Sequence, residues 1–422
     1  MDSYEIEKII NSGKNVYVVG IKGAGVSAMA QILKTKGFDV TGVDSHEKFF
    51  TDELLKKAGI PYFEGFDIKN IPSKVSWAFA SSAYLGEPIT NPEVLELKRR
   101  GIPVLGYSDV LSWAFNQSRG VAISGTHGKT SVTAMIAFVL YHAGLKPNAL
   151  IGSEILDLKT NALSGESDIF VLEADEYRDQ FLRYNPEVIA ILNTDWDHPD
   201  YFKTEAQYRE TFEKFKKNLK PGGKIFTAED FAKIGAIESV MIGDHNQFNM
   251  SAAYVVCRHL GVQDEAIRAA LKEFKGTRRR LEIVGEWASN IIIDDYAHNS
   301  QKVAAALSAL KKHYSPKRKV IVVFQPHTYS RTEQFINDFA KSLIIADEIY
   351  LLDIYASARE AKGTATSEDI IKLIEQSGRS AKNLKTVDEA VKFFRNNPPK
   401  NSVIAFMGAG NVGDGARELV KK

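Results

Sequence analysis

Gly125, Thr126, His127, Gly128, Lys129 and Thr130 place two glycines, an ammonium and a hydroxyl between the apolar stretch Val121–Ser124 and a helical pattern from Ser131 to His142. That order suits a nucleoside triphosphate. Glycines let backbone N–H groups turn toward phosphate oxygens, and the following helix start adds positive potential. Lys129 is placed to meet the β- and γ-phosphates, and Thr130 to offer its hydroxyl to Mg²⁺. Ile123 stands where the full phosphate-loop pattern has its first glycine, so a plain strand-to-helix turn is the competing reading.

Two further strand ends carry groups of the same chemistry. Glu173, Asp175 and Glu176 follow the apolar run Ile169–Leu172, and carboxylates there are costly unless solvated or paired with cations. Open α/β sheets bind ligands at that edge, which makes Glu173 a candidate Mg²⁺ ligand and a solvated acidic loop the plain alternative. The next apolar run, Val188–Leu192, leads to His198, a candidate second ligand, although a lone histidine is more often structural. The three ends converge only if their strands are neighbours. Gly20, Gly23 and Gly25 form another glycine loop, followed by a helix and by Asp44 at the end of the next strand. It resembles a dinucleotide fingerprint, but its spacing is not G-x-G-x-x-G.

The elements that must hold these groups are legible as alternating strand and helix patterns, which predict parallel α/β sheets. At 422 residues the chain exceeds one ordinary core. Boundaries are placed at 1–117, 118–285 and 286–422. The second region runs to a helix expected from near Ser251. The third is expected to hold strands at Ile291–Ile293, Val320–Phe324, Glu348–Leu352 and Val403–Phe406. A net charge of +1 gives no global field for nucleic acid or an acidic membrane, so anionic ligands must be held locally. The single cysteine, Cys257, excludes an internal disulfide framework and lies in an apolar run, where it reads as a buried structural thiol. With neither a signal-like N-terminus nor a membrane-length apolar stretch, a cytoplasmic protein is expected.

In order, Gly125 to Thr130, Glu173 to Glu176, His198, the run His245–Asn249 and the run Asp294–His298 resemble the Mur ligase family over nearly the whole chain. Phe324 to His327 with Arg331, the run Gly408–Asn411 and the opening Gly20–Ser27 resemble its alanine-adding branch. The resemblance implies three domains: a Rossmann-like N-terminal domain for a UDP-sugar, a P-loop ATPase-like central domain for ATP, and a Rossmann-like C-terminal domain for the amino acid. The implied reaction uses ATP and Mg²⁺, with Mn²⁺ as a substitute, to join L-alanine to UDP-N-acetylmuramate through an acyl phosphate and a tetrahedral intermediate. Thr130, Glu173 and His198 are then the metal ligands, and Lys129 and Arg280 neutralise phosphate charge. Asn246 and Asn249 contact adenosine, though helix capping is the ordinary use of such asparagines. Arg279 and Arg280 match the family's arginine pair. Asp295 and His298 face the nucleotide, and His327 and Arg331 bind the amino acid carboxylate. The first glycine loop becomes the diphosphate site, with Gly20, Gly23, Gly25, Val26, Ser27, Asp44, Ser81 and Ser82 around the UDP-sugar and Lys22 as an unusual cation. A monomer or homodimer acting on small molecules is implied, with no nucleic acid or membrane partner.

Three departures bear on the substrate. Thr328 stands where the alanine ligases carry an arginine, leaving the carboxylate to Arg331, to water, or to another cation such as Arg178 or Arg359. Tyr177 follows Glu176 as in the related ligase that recycles an intact murein tripeptide, which is the alternative reading. The stretch from Lys220 to Met241 is shorter than its family counterpart. An oxidoreductase built on the first glycine loop would leave Lys129 and Thr130 unexplained. A catalytically silent relative would leave Glu173 and His198 without purpose.

Overall fold

The computed structural model describes residues 3–198, 201–356 and 363–421. It contains three sheets. The first is parallel, in the order β3-β2-β1-β4-β5, from Asn15–Val19 (β1), Asp39–Asp44 (β2), Tyr62–Glu64 (β3), Trp77–Ala80 (β4) and Val104–Gly106 (β5). Its order reverses between β1 and β4, the crevice where open α/β sheets take ligands. The predicted glycine loop leaves β1 there and enters helix α1 (Ala24–Thr35).

The second sheet runs β11-β10-β6-β9-β7-β8, from Arg119–Ser124 (β6), Asn148–Ile155 (β7), Thr160–Leu163 (β8), Ile169–Glu173 (β9), Val188–Ile191 (β10) and Lys224–Phe226 (β11). Strand β6 lies between β9 and β10 and is parallel to both, so the three predicted strand ends are neighbours. The β7–β8 pair is antiparallel, an addition that the alternating pattern did not predict.

The third sheet runs β12-β13-β17-β14-β15-β16, from Glu282–Trp287 (β12), Asn290–Asp295 (β13), Lys319–Phe324 (β14), Glu348–Leu351 (β15), Ala381–Asn383 (β16) and Ser402–Met407 (β17). Only β12 is antiparallel. The boundary expected at 285/286 therefore cuts through β12. This edge strand is half polar and carries Gly285, so its apolar pattern is too weak to mark it as sheet.

Apolar strands covered on both faces by helices supply the cores, and the central strands of all three sheets are almost wholly buried. Two compact units result: residues 1–238 with 248–274, and residues 239–247 with 275–422. The first unit unites the first two sheets because helix α2 (Tyr107–Asn116) inserts Phe115 against Phe170 of β9 and against Tyr184. Cys257 is buried in a helix that begins at Asp244, seven residues before the expected Ser251, and burial pushes its thiol pKa up. Between Lys220 and Met241 the described elements are short: β11 and the four residues Ala228–Phe231. Among the described residues no helix is long and apolar enough to cross a membrane.

Candidate active site

Helix α3 (Lys129–His142) begins at the last residues of the phosphate loop. The chain turns into it through Gly125 at φ +136° and Gly128 at φ +85°, left-handed values that favour glycine. A Cβ on Gly128 would stand 2.6 Å from Asn249 Oδ1, so Asn249 lies directly on the loop. Asn193, not singled out from sequence, clamps the loop from the β10 side. Its Oδ1 accepts from His127 N at 2.8 Å, and its Nδ2 donates to His127 O at 3.1 Å. Thr126 Oγ1 donates to Asp195 O and lies 2.7 Å from Tyr208 Oη. Asparagine at a strand end is common enough that only the fold reveals the clamp.

Lys129 Nζ donates to Glu176 Oε2 at 2.7 Å, and Asp175 lies 3.6 Å away. Glu176 is fully buried, and its other oxygen accepts from Tyr208 Oη at 2.9 Å. Burial pushes the Lys129 ammonium down, but the charges of Glu176, Asp175 and Glu173 outweigh it and hold the pKa above the usual lysine value. Lys129 is thus a paired, largely enclosed cation rather than an exposed one.

Glu173, at the end of β9, accepts from Thr130 Oγ1 at 3.0 Å and from Gly152 N at 2.6 Å. His198 stands at φ +57°, with Nε2 3.8 Å from Glu176 Oε1 and its ring 4.7 Å from that of Tyr177. Asp175, Glu176 and His198 offer ligand atoms within 4.8 Å of one another, whereas Glu173 stands outside that group, on Thr130. This donor set, mostly carboxylate and hydroxyl oxygen, fits a hard divalent cation. Asp175 and Glu176 thereby join the candidate ligands expected from sequence.

Around the first glycine loop the structure shows how the expected residues are bonded. Lys22 is not a cation for ligand. Its ammonium is buried and donates to Ser45 O, Glu47 O and Glu64 Oε1, with Asp52 at 3.3 Å. Asp44 accepts from Lys22 N at 2.6 Å, Ser45 N at 2.7 Å and Tyr84 Oη at 3.3 Å, so its carboxylate ties the loop together. Ser27 turns its hydroxyl onto Ala24 O, Val26 is buried, and Ser81 accepts from Ala83 N while Ser82 is exposed. Gly20, at φ +83°, packs against Tyr84, and Gly25 against Tyr107. Spacing alone could not show that the Lys22 and Asp44 side chains are bonded within the loop region itself.

In the second unit, Arg279 is structural: its guanidinium bonds Gly408 O and Gly410 O, with buried Asp294 at 3.4 Å. Arg280 lies over Tyr296, and its guanidinium has no hydrogen-bond partner among the described residues. Asp295 accepts from Leu281 N and Ala297 N, one at each oxygen, and burial raises its pKa. His298 Nδ1 is 2.9 Å from Tyr296 O. Burial, reinforced by Lys302, Arg331 and Arg280, pushes the His298 pKa down to about 3. His298 and His327 rings are 6.4 Å apart, so Arg280, His298, His327 and Arg331 form one basic group joined by Lys302. Asn246, in the first turn of the helix that begins at Asp244, donates its side-chain amide to Ile242 O at 2.9 Å within this unit, which is not a capping bond. Thr328 occupies φ +68°, a strained value for a β-branched residue, at the start of the short helix Tyr329–Gln334 that carries Arg331. Arg359 lies outside the described residues.

Three family models match consecutive stretches: the Mur ligase family catalytic domain over residues 15–119, the Mur ligase middle domain over 123–236, and the Mur ligase glutamate ligase domain over 279–410. A UDP-N-acetylmuramate–L-alanine ligase of Desulfitobacterium hafniense is 33% identical, the match covering 96% of this chain and 99% of the relative. One from Aquifex aeolicus is 34% identical, covering 97% and 98%. The crystal structure of the UDP-N-acetylmuramate–alanine ligase of Thermotoga maritima superposes with a TM-score of 0.78 at 25% identity, covering 96% of this chain and 98% of that one. The alignment with the Desulfitobacterium protein runs over 451 positions, so that relative carries residues that this chain lacks.

Proposed function

The chain belongs to the Mur ligase family, and from that premise we propose that it joins L-alanine to the carboxylate of UDP-N-acetylmuramate, cleaving ATP to ADP and phosphate. The observation that carries this reading is the convergence of Lys129, Thr130, Glu173, Glu176 and His198 at three neighbouring strand ends. A carboxylate is a poor electrophile, so the reaction converts it to an acyl phosphate, which the amine of L-alanine attacks. The amine nitrogen adds to the acyl carbon, the acyl carbon–oxygen bond breaks as the tetrahedral intermediate expels phosphate, and the amine proton passes to the departing phosphate or to water. The residues therefore position reactants and neutralise charge, and no side-chain nucleophile is required.

Lys129 is poised for the γ-phosphate and exchanges Glu176 for it when nucleotide arrives. Asn193 and Thr126 keep the loop amides turned toward phosphate. Thr130 with Glu173, and His198 with Asp175 and Glu176, are the groups that would hold Mg²⁺, which when bound supplies charge neutralisation and Lewis acidity at phosphoryl oxygens. Arg331 and Arg280 supply the cationic group for the amino acid carboxylate and transferred phosphate, beside a neutral His298. The test is phosphate release with ATP, UDP-N-acetylmuramate and L-alanine, each omitted in turn. Release requiring all three is expected. Equal release without the UDP-sugar would overturn the assignment, and faster release with a murein tripeptide in place of L-alanine would move it to the recycling ligase.

A further inference from the structure

Tyr107 takes part in none of the steps above. It is the first residue of α2, deep in the first unit yet partly exposed, with its ring packed on the apolar core. Its hydroxyl has no hydrogen-bond partner among the described residues. A buried or half-buried tyrosine usually finds one. The hydroxyl points at Gly25, in the first turn of α1, so closely that a Cβ there would collide with it. Gly25 is therefore needed less for a turn than to leave room for this phenol.

The surroundings identify what the hydroxyl faces. The first amides of a helix have no intrahelical partner, and α1 opens at Gly23 with no side-chain cap and no acidic residue in its first turn. The β7–β8 hairpin ties this helix start to the nucleotide side. Asn161 Nδ2 donates to Ala24 O at 2.8 Å, while Gly152 N on the same hairpin donates to Glu173. Burial raises the Tyr107 pKa, with Tyr184 and Glu173 adding to it, so the phenol remains a donor. Unpaired amides and a protonated phenol thus meet at the first turn of α1, donors with no acceptor among the described residues.

We propose that Tyr107 is a substrate-binding residue whose hydroxyl donates a hydrogen bond to an oxyanion of the UDP-linked acid at the amino end of α1. This rests on the reading under Proposed function. The oxyanion is either a diphosphate oxygen or the carboxylate that is to be phosphorylated. Titration calorimetry of wild type and Tyr107→Phe with UDP-N-acetylmuramate, with UDP and with ATP separates them, alongside thermal melts of both proteins. Tyr107→Phe removes one oxygen and keeps the ring packing, so an unchanged melting temperature is expected. Affinity for UDP-N-acetylmuramate is expected to fall about tenfold, as for one hydrogen bond to a charged group. Equal loss with UDP identifies the diphosphate, and loss confined to UDP-N-acetylmuramate identifies the carboxylate. Unchanged affinity for both ligands overturns the proposal, whatever the melting temperature. A parallel loss for ATP also overturns it, because it reports general distortion. A wild type that binds neither UDP ligand overturns the acid-substrate reading itself, and this inference falls with it.

Discussion

Replacing Lys129 with alanine is expected to lower folding stability as well as turnover. The phosphate-loop position alone suggests an exposed side chain whose loss leaves the fold untouched. Instead the Lys129 side chain is 14% exposed and its partner Glu176 is fully buried. Removing one member of a buried pair strands the other charge and costs about 3–5 kcal/mol. Tyr208 still donates to Glu176, which places the loss near the lower end, about 3 kcal/mol. For units of this size that is roughly 6–12 °C in melting temperature. The raised Lys129 pKa sets the pH window. Its contribution is fully present below the ordinary lysine value of about 10.4 and is lost as pH rises through the higher folded value. The deficit should therefore be constant between about pH 6 and 9. Thermal unfolding of the ligand-free protein measures it, with Glu176→Gln and the double variant Lys129→Met/Glu176→Gln alongside. The double variant should be more stable than Lys129→Ala, because it leaves no unpaired buried charge. A Lys129→Ala melting temperature equal to wild type would refute the buried pairing, and a double variant no better than the single would refute the stranded-charge explanation. Turnover should fall about 10²–10³-fold from the lost phosphate contact.

Asn193→Ala removes both bonds to His127, about 2 kcal/mol of loop support. It should raise the KM for ATP while leaving that for L-alanine unchanged, as initial rates would show. His298 binds a proton in the unfolded chain near pH 6.5 but in the folded protein only near 3, so folding stability falls as pH drops through that window. His298→Gln should flatten the dependence of melting temperature between about pH 6 and 4, and an unchanged slope would place that titration elsewhere. Thr328→Arg should lower the KM for L-alanine about tenfold by adding a charge-assisted bond to its carboxylate. If neither Thr328→Arg nor Arg331→Ala moves that constant, the carboxylate is bound by other groups.

Both the strands and the chemical groups they carry were largely legible. Strand β2 falls on its expected residues, and β9, β14 and β17 differ by a residue or so, because buried parallel strands are continuous apolar runs with a sharp signal. The β7–β8 hairpin and β12 were missed for the opposite reason. Edge and antiparallel strands are half polar, and their pairing is set by neighbours distant in sequence. The site shows the same division. Gly125, Gly128, Lys129, Thr130, Glu173 and His198 could be chosen from residue type and position after a strand, since each is chemically specialised. Asn193 and Tyr107 are ordinary residues whose roles depend on what the fold sets beside them.

Sequence by itself determined which groups are available at the ends of which strands, because glycine geometry, carboxylate charge and apolar periodicity are local properties. Only the tertiary structure decided how those groups are spent. Lys22 and Asp44 hold the first glycine loop together, Arg279 binds carbonyl oxygens near the end of β17, and Glu176 keeps Lys129 paired. A buried polar group must find a partner wherever the fold provides one, and that partner lies tens of residues away along the chain. Spacing in the sequence carries no record of it.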